Sequence, residues 1–487
     1  MSPRNSVIVA ILILAALAAY FYLGGGGERS QEAADQAVST AVLSLPRDEI
    51  SAVAIQRRDG TSLRLEKQEA GEGAAGAGGE APAGQWRLVE PVVWPANAQR
   101  MESILDVLSH LVAQRVLVQE GEGVEDDEAG RLAEYGLDDP ELVVTVRTGD
   151  GERRLEVGAR TPVGTARYAR LDGREPVFTL GEYLVDYFTR PVKDYRELTI
   201  LPFTPEQVQR LEIATAAGVA VVEKEKEFYW NLVEPFEHPA DYEDAIFLLL
   251  MPLSGLAAQE FIDEPGDLAP YGLDRPQAVV RLAWDPGDGT GLKEEVLYIG
   301  KAGEGGTAYV KTGSDTVMVV RLDPVPFARV TAESLALMDL VRIDDLFTLH
   351  LEVLGPGGLH LMLDKTEQPE IIWRRGDGVR VPAPMITELL NAVTGIDAVD
   401  LGEPLAPGQA EGLTYAMLYM EPPPGTEAGS PPRVLRFGEP DEEGWVQVVS
   451  NDRDRIYRIP AIRLERLLDQ AAAILAYQEA EEEEAAP

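Results

Sequence analysis

The sequence predicts an α+β chain of three tandem related units. Each unit combines small antiparallel sheets with packed helices, and one N-terminal transmembrane helix precedes them all. Three observations predict this. Trp86-Arg87-Leu88-Val89-Glu90-Pro91 recurs as Trp230-Asn231-Leu232-Val233-Glu234-Pro235, with five of six residues identical at an offset of 144. Further landmarks keep the same order at nearly the same offset. Residues 7–23, VIVAILILAALAAYFYL, form one apolar run without a charge.

The landmarks bound the units. Each repeated hexapeptide leads to a proline step, Pro95-Ala96-Asn97 and Pro239-Ala240-Asp241, and a degraded copy has Trp373 followed by Pro382-Ala383-Pro384. Next come Tyr135-Gly136-Leu137 with Pro140, and Tyr271-Gly272-Leu273 with Pro276, where the third copy keeps only Gly412-Leu413. Gly158, Gly300 and Gly438 then end matching strands, and Tyr168 and Tyr309 follow. These define unit 1 at 45–203, unit 2 at 204–342 and a degenerate unit 3 at 343–477, each the size of a domain and too long for a solenoid repeat. The repeated Trp86, Trp230 and Trp373, Pro91 and Pro235, and the Tyr-Gly-Leu residues are expected to be structural, because an active site rarely decays through three copies.

Composition excludes several functions. A net charge of −40, from 83 acidic and 43 basic residues, repels phosphate backbones, so no nucleic-acid partner is expected. With no cysteine, disulfides, thiol catalysis and thiolate metal sites are impossible.

Residues 1–6 are expected to be a cytoplasmic N-terminus and residues 7–23 an uncleaved anchor. Seventeen apolar residues at about 1.5 Å each reach the lower limit for crossing a bilayer core. Arg4 before the run places the bulk of the chain outside the cytoplasm by the positive-inside tendency, with Tyr20 and Tyr22 at the interface. A cleaved signal peptide is the rival, but no clean small-residue cleavage site precedes Gly24. Residues 24–44 read as a flexible tether.

In unit 1, Ala52–Gln56 and Ser62–Glu66 alternate around the hairpin signal Asp59-Gly60. Residues 70–84, rich in glycine and alanine, read as a disordered insert. Trp86 begins a third strand. Asn97 caps a helix predicted over Ala98–Ala113, with Met101, Ile104, Leu105, Leu108, Leu111 and Val112 at helical spacing. Gly121–Gly130 reads as an acidic loop. A separate meander follows at Leu142–Thr148, Arg153–Val157, Ala166–Leu171 and Val177–Leu180, closed by a short helix near Glu182–Phe188. Unit 2 repeats this order, starting at the capping pattern Thr204-Pro205-Glu206-Gln207. In unit 3 a helix near Pro384–Thr394 precedes the strands. The last helix, near Ala461–Tyr477, is predicted to bury Ile462, Leu464, Leu467, Leu468 and Ile474. Residues 478–487 form an acidic tail.

No catalytic signature is present. The four histidines are His110, on the predicted helix; His238, in a loop; and His350 and His360, in different register around one hairpin. Isolated histidines are the expectation, with no metal site, cofactor or catalytic residue. Gly300–Gly306 lacks the Lys-Ser/Thr of a phosphate loop and reads as a strand-to-strand turn. Asp285–Gly289 lacks the distal ligand of a calcium loop.

These landmarks resemble an uncharacterised bacterial family, domain of unknown function 4340. The resemblance rests on the W-x-L-x-x-P steps at Trp86 and Trp230, the Y-G-L-x-x-P motifs at Tyr135 and Tyr271, Gly158 and Gly300, and Tyr168 and Tyr309. Residues 343–477 depart from it, lacking Glu-Pro after Trp373. It implies a membrane-anchored protein of the kind encoded beside gliding-type ABC transport components, with no catalytic residue to carry over. The expectation is a non-catalytic scaffold or binding subunit of an envelope transport complex. It would be held in the inner membrane by residues 7–23, with the bulk of the chain outside the cytoplasm. The alternatives are a binding module for envelope polysaccharide or peptide and, less favoured, an envelope enzyme.

Overall fold

The computed structural model describes residues 40–68, 85–117, 128–341, 347–366, 370–421 and 432–478. The predicted anchor at 7–23, most of the tether, the insert at 70–84 and the tail from 479 lie outside the described residues. No helix among the described residues is long and apolar enough to cross a membrane. Close contacts gather the chain into two compact units: residues up to Ile200 with 257–266 and 311–320, and 201–256 with 267–310 and 321–487.

The first unit holds a nine-stranded sheet. Its order is Trp94–Pro95, Trp86–Glu90, Ser62–Lys67, Ala52–Arg57, Leu142–Thr148, Gly151–Arg160, Ala166–Leu171, Arg174–Gly181 and Arg115–Leu117. Hairpin and meander are therefore one sheet, not the two small ones predicted. The seam is the antiparallel pairing of Ala52–Arg57 with Leu142–Thr148, from Ala52↔Arg147 to Arg57↔Leu142. Fusion gives Val53, Ile55, Leu63, Leu65, Leu88, Val144 and Val146 a common buried face. Helix Ala98–Ser109 lays Met101, Ile104, Leu105 and Leu108 on it. Asn97 Oδ1 caps the helix by accepting from the Arg100 amide at 2.9 Å.

That helix ends four residues short of the prediction. His110 leaves helical geometry (φ −142°), and Leu111–Ala113 becomes a strand paired with Thr40–Leu43. Thr40–Leu43, expected within the tether, is thus part of the fold and buries Leu43. Glu128–Glu134 is helical, so residues 128–130 do not belong to the predicted acidic loop, the rest of which lies outside the described residues.

In the second unit, His238–Ala240, Tyr229–Glu234, Gly218–Lys226, Val208–Thr215, Ala278–Trp284, Lys293–Ala302 and Thr307–Lys311 stand side by side in that order. Leu256–Ile262, which has no clean alternation and was not predicted, pairs with Val317–Arg321 within the first unit. There, Arg115–Leu117 pairs with Arg174–Gly181 in the same way. An eight-stranded sheet in the second unit runs Ile372–Arg375, Leu359–Thr366, His350–Gly355, Ala416–Glu421, Arg433–Phe437, Trp445–Ser450, Arg455–Pro460 and Glu403–Pro404. One strand order thus recurs along the chain: a hairpin and its leading strand, then a meander.

Two linking segments are clasped alike. In the first unit Glu197 N donates to Pro95 O (2.8 Å) and Leu198 O accepts from Ala258 N (2.7 Å). In the second, Leu337 N donates to Pro239 O (2.8 Å) and Met338 O accepts from Ala398 N (3.0 Å). The first link is reinforced by Arg196, buried and bidentate to Asp263 at 2.8 and 2.7 Å, with its guanidinium 4.6 Å from the centre of the Phe261 ring.

The degraded copy corrects two expectations. Val381 N donates to Trp373 O (2.9 Å) as Ala96 N does to Trp86 O (3.0 Å), so the proline step aligns with 380–382, not Pro382–Pro384. Without Glu-Pro the chain turns at Arg375–Gly378 instead. The last helix, Ala461–Ala476, buries Leu464, Leu467 and Ile474, but Ile462 is exposed. Two residues turn a helix by about 200°, which puts Ile462 opposite Leu464.

Candidate functional site

The Tyr-Gly-Leu landmark is a corner pressed against a strand. Gly136 and Gly272 take left-handed φ of 65° and 68°, a region that costs other residues energy. A Cβ on Gly158 would lie 2.3 Å from the Tyr135 carbonyl oxygen, and one on Gly300 2.3 Å from that of Tyr271. Both glycines thus permit backbone to touch backbone. Leu137 and Leu273 are buried beneath, and the half-buried Pro140 and Pro276 lead out of the turns. The corner tyrosines meet the next strand, with ring centres 4.5 Å apart for Tyr135–Tyr168 and 5.1 Å for Tyr271–Tyr309. All four rings are half-buried. Arg170 braces the first corner by donating to the Leu137 carbonyl at 3.2 Å while paired with the buried Glu156. In the third copy the corner is relaxed: a Cβ on Gly438 would first meet Leu413 Cδ2, at 3.1 Å.

Trp230 and Trp373 are buried, and Trp86 is half-buried against its core. Pro91 and Pro235 each follow a cis peptide bond. From Trp230 an aromatic series runs outward. Its ring stacks on Tyr242 at 6.1 Å, and Tyr242 lies 5.8 Å from Phe247 and 5.9 Å from Phe228. Phe228 is the tip of the hairpin between Gly218–Lys226 and Tyr229–Glu234. It is 60% exposed and has φ +64°, a strained conformation for an aromatic residue. Tyr242 opens a π-helical turn, Tyr242–Ile246, of a kind frequent at functional positions. Leu248 and Met251 are exposed on the turn that follows. The exposed Glu225, Glu227, Glu243 and Asp244 flank these aromatics in the chain. This apolar tip among acids is the candidate interaction surface. It was missed from sequence because a lone Phe in a hairpin turn carries no periodic signal.

The histidines are not isolated as expected. His350 Nδ1 lies 2.7 Å from Asp364 Oδ1 and its Nε2 2.8 Å from Glu352 Oε1, while His360 Nε2 lies 3.2 Å from Glu352 Oε2. Burial opposes charging His350, but its bonds to Glu352 and Asp364 outweigh this and hold its pKa above the ordinary value. The bond from His350 is the main reason the Glu352 carboxyl is held low. Among the described residues no three such donors already surround one cation position. His238, predicted in a loop, begins a strand and is buried. It contacts Pro239 O through Nδ1 (2.6 Å) and the Tyr457 hydroxyl through Nε2 (2.8 Å). His110 sits at its helix end, 3.0 Å from Ser109 Oγ.

Comparison with known proteins returns one family, described as "Domain of unknown function (DUF4340)", matched over residues 86–265 and again over 230–417. The two matches begin at Trp86 and Trp230, the same offset as the repeat. No curated protein and no solved structure matches the chain.

Proposed function

The chain belongs to the DUF4340 family, and we propose that it is a membrane-anchored, extracytoplasmic scaffold or binding subunit, accessory to an ABC-type transport or envelope complex and non-catalytic. In this reading residues 7–23 are a single inner-membrane span, and the bulk is three tandem related units at 45–203, 204–342 and 343–477. The observation that carries it is the recurrence of one strand order along the chain, joined by links clasped in the same way. Each copy of this pattern can offer a binding surface of its own. The Phe228 tip supplies such a surface, suited to a partner with an apolar contact rimmed by basic residues.

The test is photocrosslinking from position 228 in intact cells, followed by purification from detergent-solubilised membranes. The expected result is a discrete adduct with a transport or envelope component. Absence of any adduct, with the chain recovered from the soluble fraction, overturns the proposal. A second reading, a binding module for envelope polysaccharide or peptide, is favoured by the half-buried pairs Tyr135–Tyr168 and Tyr271–Tyr309. It requires that purified chain bind such a ligand and that Tyr168→Ala weaken the binding.

A further inference from the structure

We propose that His350, His360 and Glu352 form a site for a borderline divalent transition ion, zinc(II) being the representative, on the solvent-facing side of the eight-stranded sheet. Three observations converge on it. Both imidazoles direct Nε2 at one carboxylate, at 2.8 and 3.2 Å from its two oxygens. Ligand atoms around a tetrahedral zinc, bonded at about 2.0–2.1 Å, stand about 3.3 Å from one another. Each imidazole thus already stands near that spacing from one oxygen of the carboxylate, and the closing of the three donors around one ion is left to the side-chain movement of His360.

The second observation is the partner of His350. Its Nδ1 lies 2.7 Å from Asp364 Oδ1, so Nδ1–H donates to that carboxylate and Nε2 is directed at Glu352. A carboxylate behind a histidine is the usual support of a metal-bound imidazole. The third is rigidity and access. His350 and Glu352 are two residues apart on one strand, and Asp364 pairs directly across from His350. The His350 and Glu352 side chains are 19% and 25% exposed, while that of His360 is 48% exposed. Two donors are thus held by the sheet, and the third is free to swing onto an arriving ion.

Binding replaces the proton shared between His350 Nε2 and Glu352 with the cation. That proton passes to solvent and no electron moves. Glu421, paired across from His350 on the neighbouring strand, adds negative potential that favours a cation. Three protein ligands leave a fourth position for water or for a donor from a bound partner.

The experiment titrates zinc(II), and cobalt(II) as a spectroscopic probe, into the full chain in detergent. Expected are one-to-one saturable zinc binding with proton release, and the intense visible bands of four-coordinate cobalt. Glu352→Gln and His360→Gln each weaken binding about tenfold or more, and Asp364→Asn about tenfold, in line with the effect of supporting carboxylates. His110→Gln leaves it unchanged. Metal-free melting temperatures of the variants report that they fold. No saturable binding, or wild-type affinity in folded Glu352→Gln and His360→Gln, overturns the proposal.

Discussion

Acidification through the range where an ordinary histidine titrates is expected to loosen the second compact unit through one residue. His238 is 5% exposed, wedged between the Pro239 carbonyl and the Tyr457 hydroxyl. Burial is the largest influence on its ionisation. The Pro239 carbonyl and Asp454 favour the charged form, Arg453 and Arg455 oppose it, and the net pKa falls to about 4 from an unperturbed 6.5. The unfolded chain therefore binds a proton as pH falls through 6.5, while the folded chain binds it only near 4. Between those values the unfolded state holds more protons, so stability is complete above 6.5 and declines as pH falls. The displacement of about 2.5 units, at about 1.36 kcal/mol each, amounts to about 3 kcal/mol lost by pH 4. Carboxylates titrate in the same interval, so the measurement is a difference. Urea unfolding of wild type and of His238→Gln is followed from pH 7.5 to 4, and the variant's stability is subtracted at each pH. The subtracted curve should be flat above 6.5 and fall by about 3 kcal/mol towards pH 4. A curve flat to within about 0.5 kcal/mol would falsify the assignment of a neutral buried imidazole.

Three further outcomes are expected. Gly158→Ala or Gly300→Ala places a methyl 2.3 Å from a fixed carbonyl oxygen and should cost about 3 kcal/mol or more in urea unfolding. Gly438→Ala, whose tightest contact is a flexible leucine tip at 3.1 Å with Gln447 at an ordinary 3.7 Å, should cost under about 1.5 kcal/mol. Equal losses at all three positions would remove the corner as the reason for the repeated glycine. Arg196→Ala strips a buried guanidinium from Asp263 and Phe261, with an expected loss of about 3 kcal/mol. Arg196→Lys should restore less than half, since an ammonium cannot reproduce the bidentate pair, and full rescue by lysine would show that charge alone matters. Phe228→Asn relieves left-handed strain in a residue type that tolerates it. Calorimetry should find the variant at least as stable as wild type, while partner capture at the tip is lost. A destabilisation above about 1 kcal/mol would make Phe228 a packing residue.

What could be read from the sequence follows the range of the forces involved. The Tyr-Gly-Leu corner was visible because backbone contact forbids a side chain at Gly158 and Gly300, a local constraint that marks both copies. The helix after Asn97 was visible because its cap and its spacing act over a few residues. Pairing of Ala52–Arg57 with Leu142–Thr148 was not, because alternation defines the face of a strand without naming its neighbour. The strands Arg115–Leu117 and Leu256–Ile262 lacked even that pattern. His350 and His360 were the avoidable miss. Their hairpin pairs His350 with Asp364, Glu352 with Met362 and Leu354 with His360, so partners differ by an even number and the even positions of the two strands, 350–354 and 360–364, share one face. His350, Glu352, His360 and Asp364 are all even. A hairpin turn of the other parity would have put His360 on the buried side, beside Leu361 and Leu363 as they now stand in the core. The single-residue register of the Gly355–Gly358 turn is therefore what brings two histidines to one carboxylate.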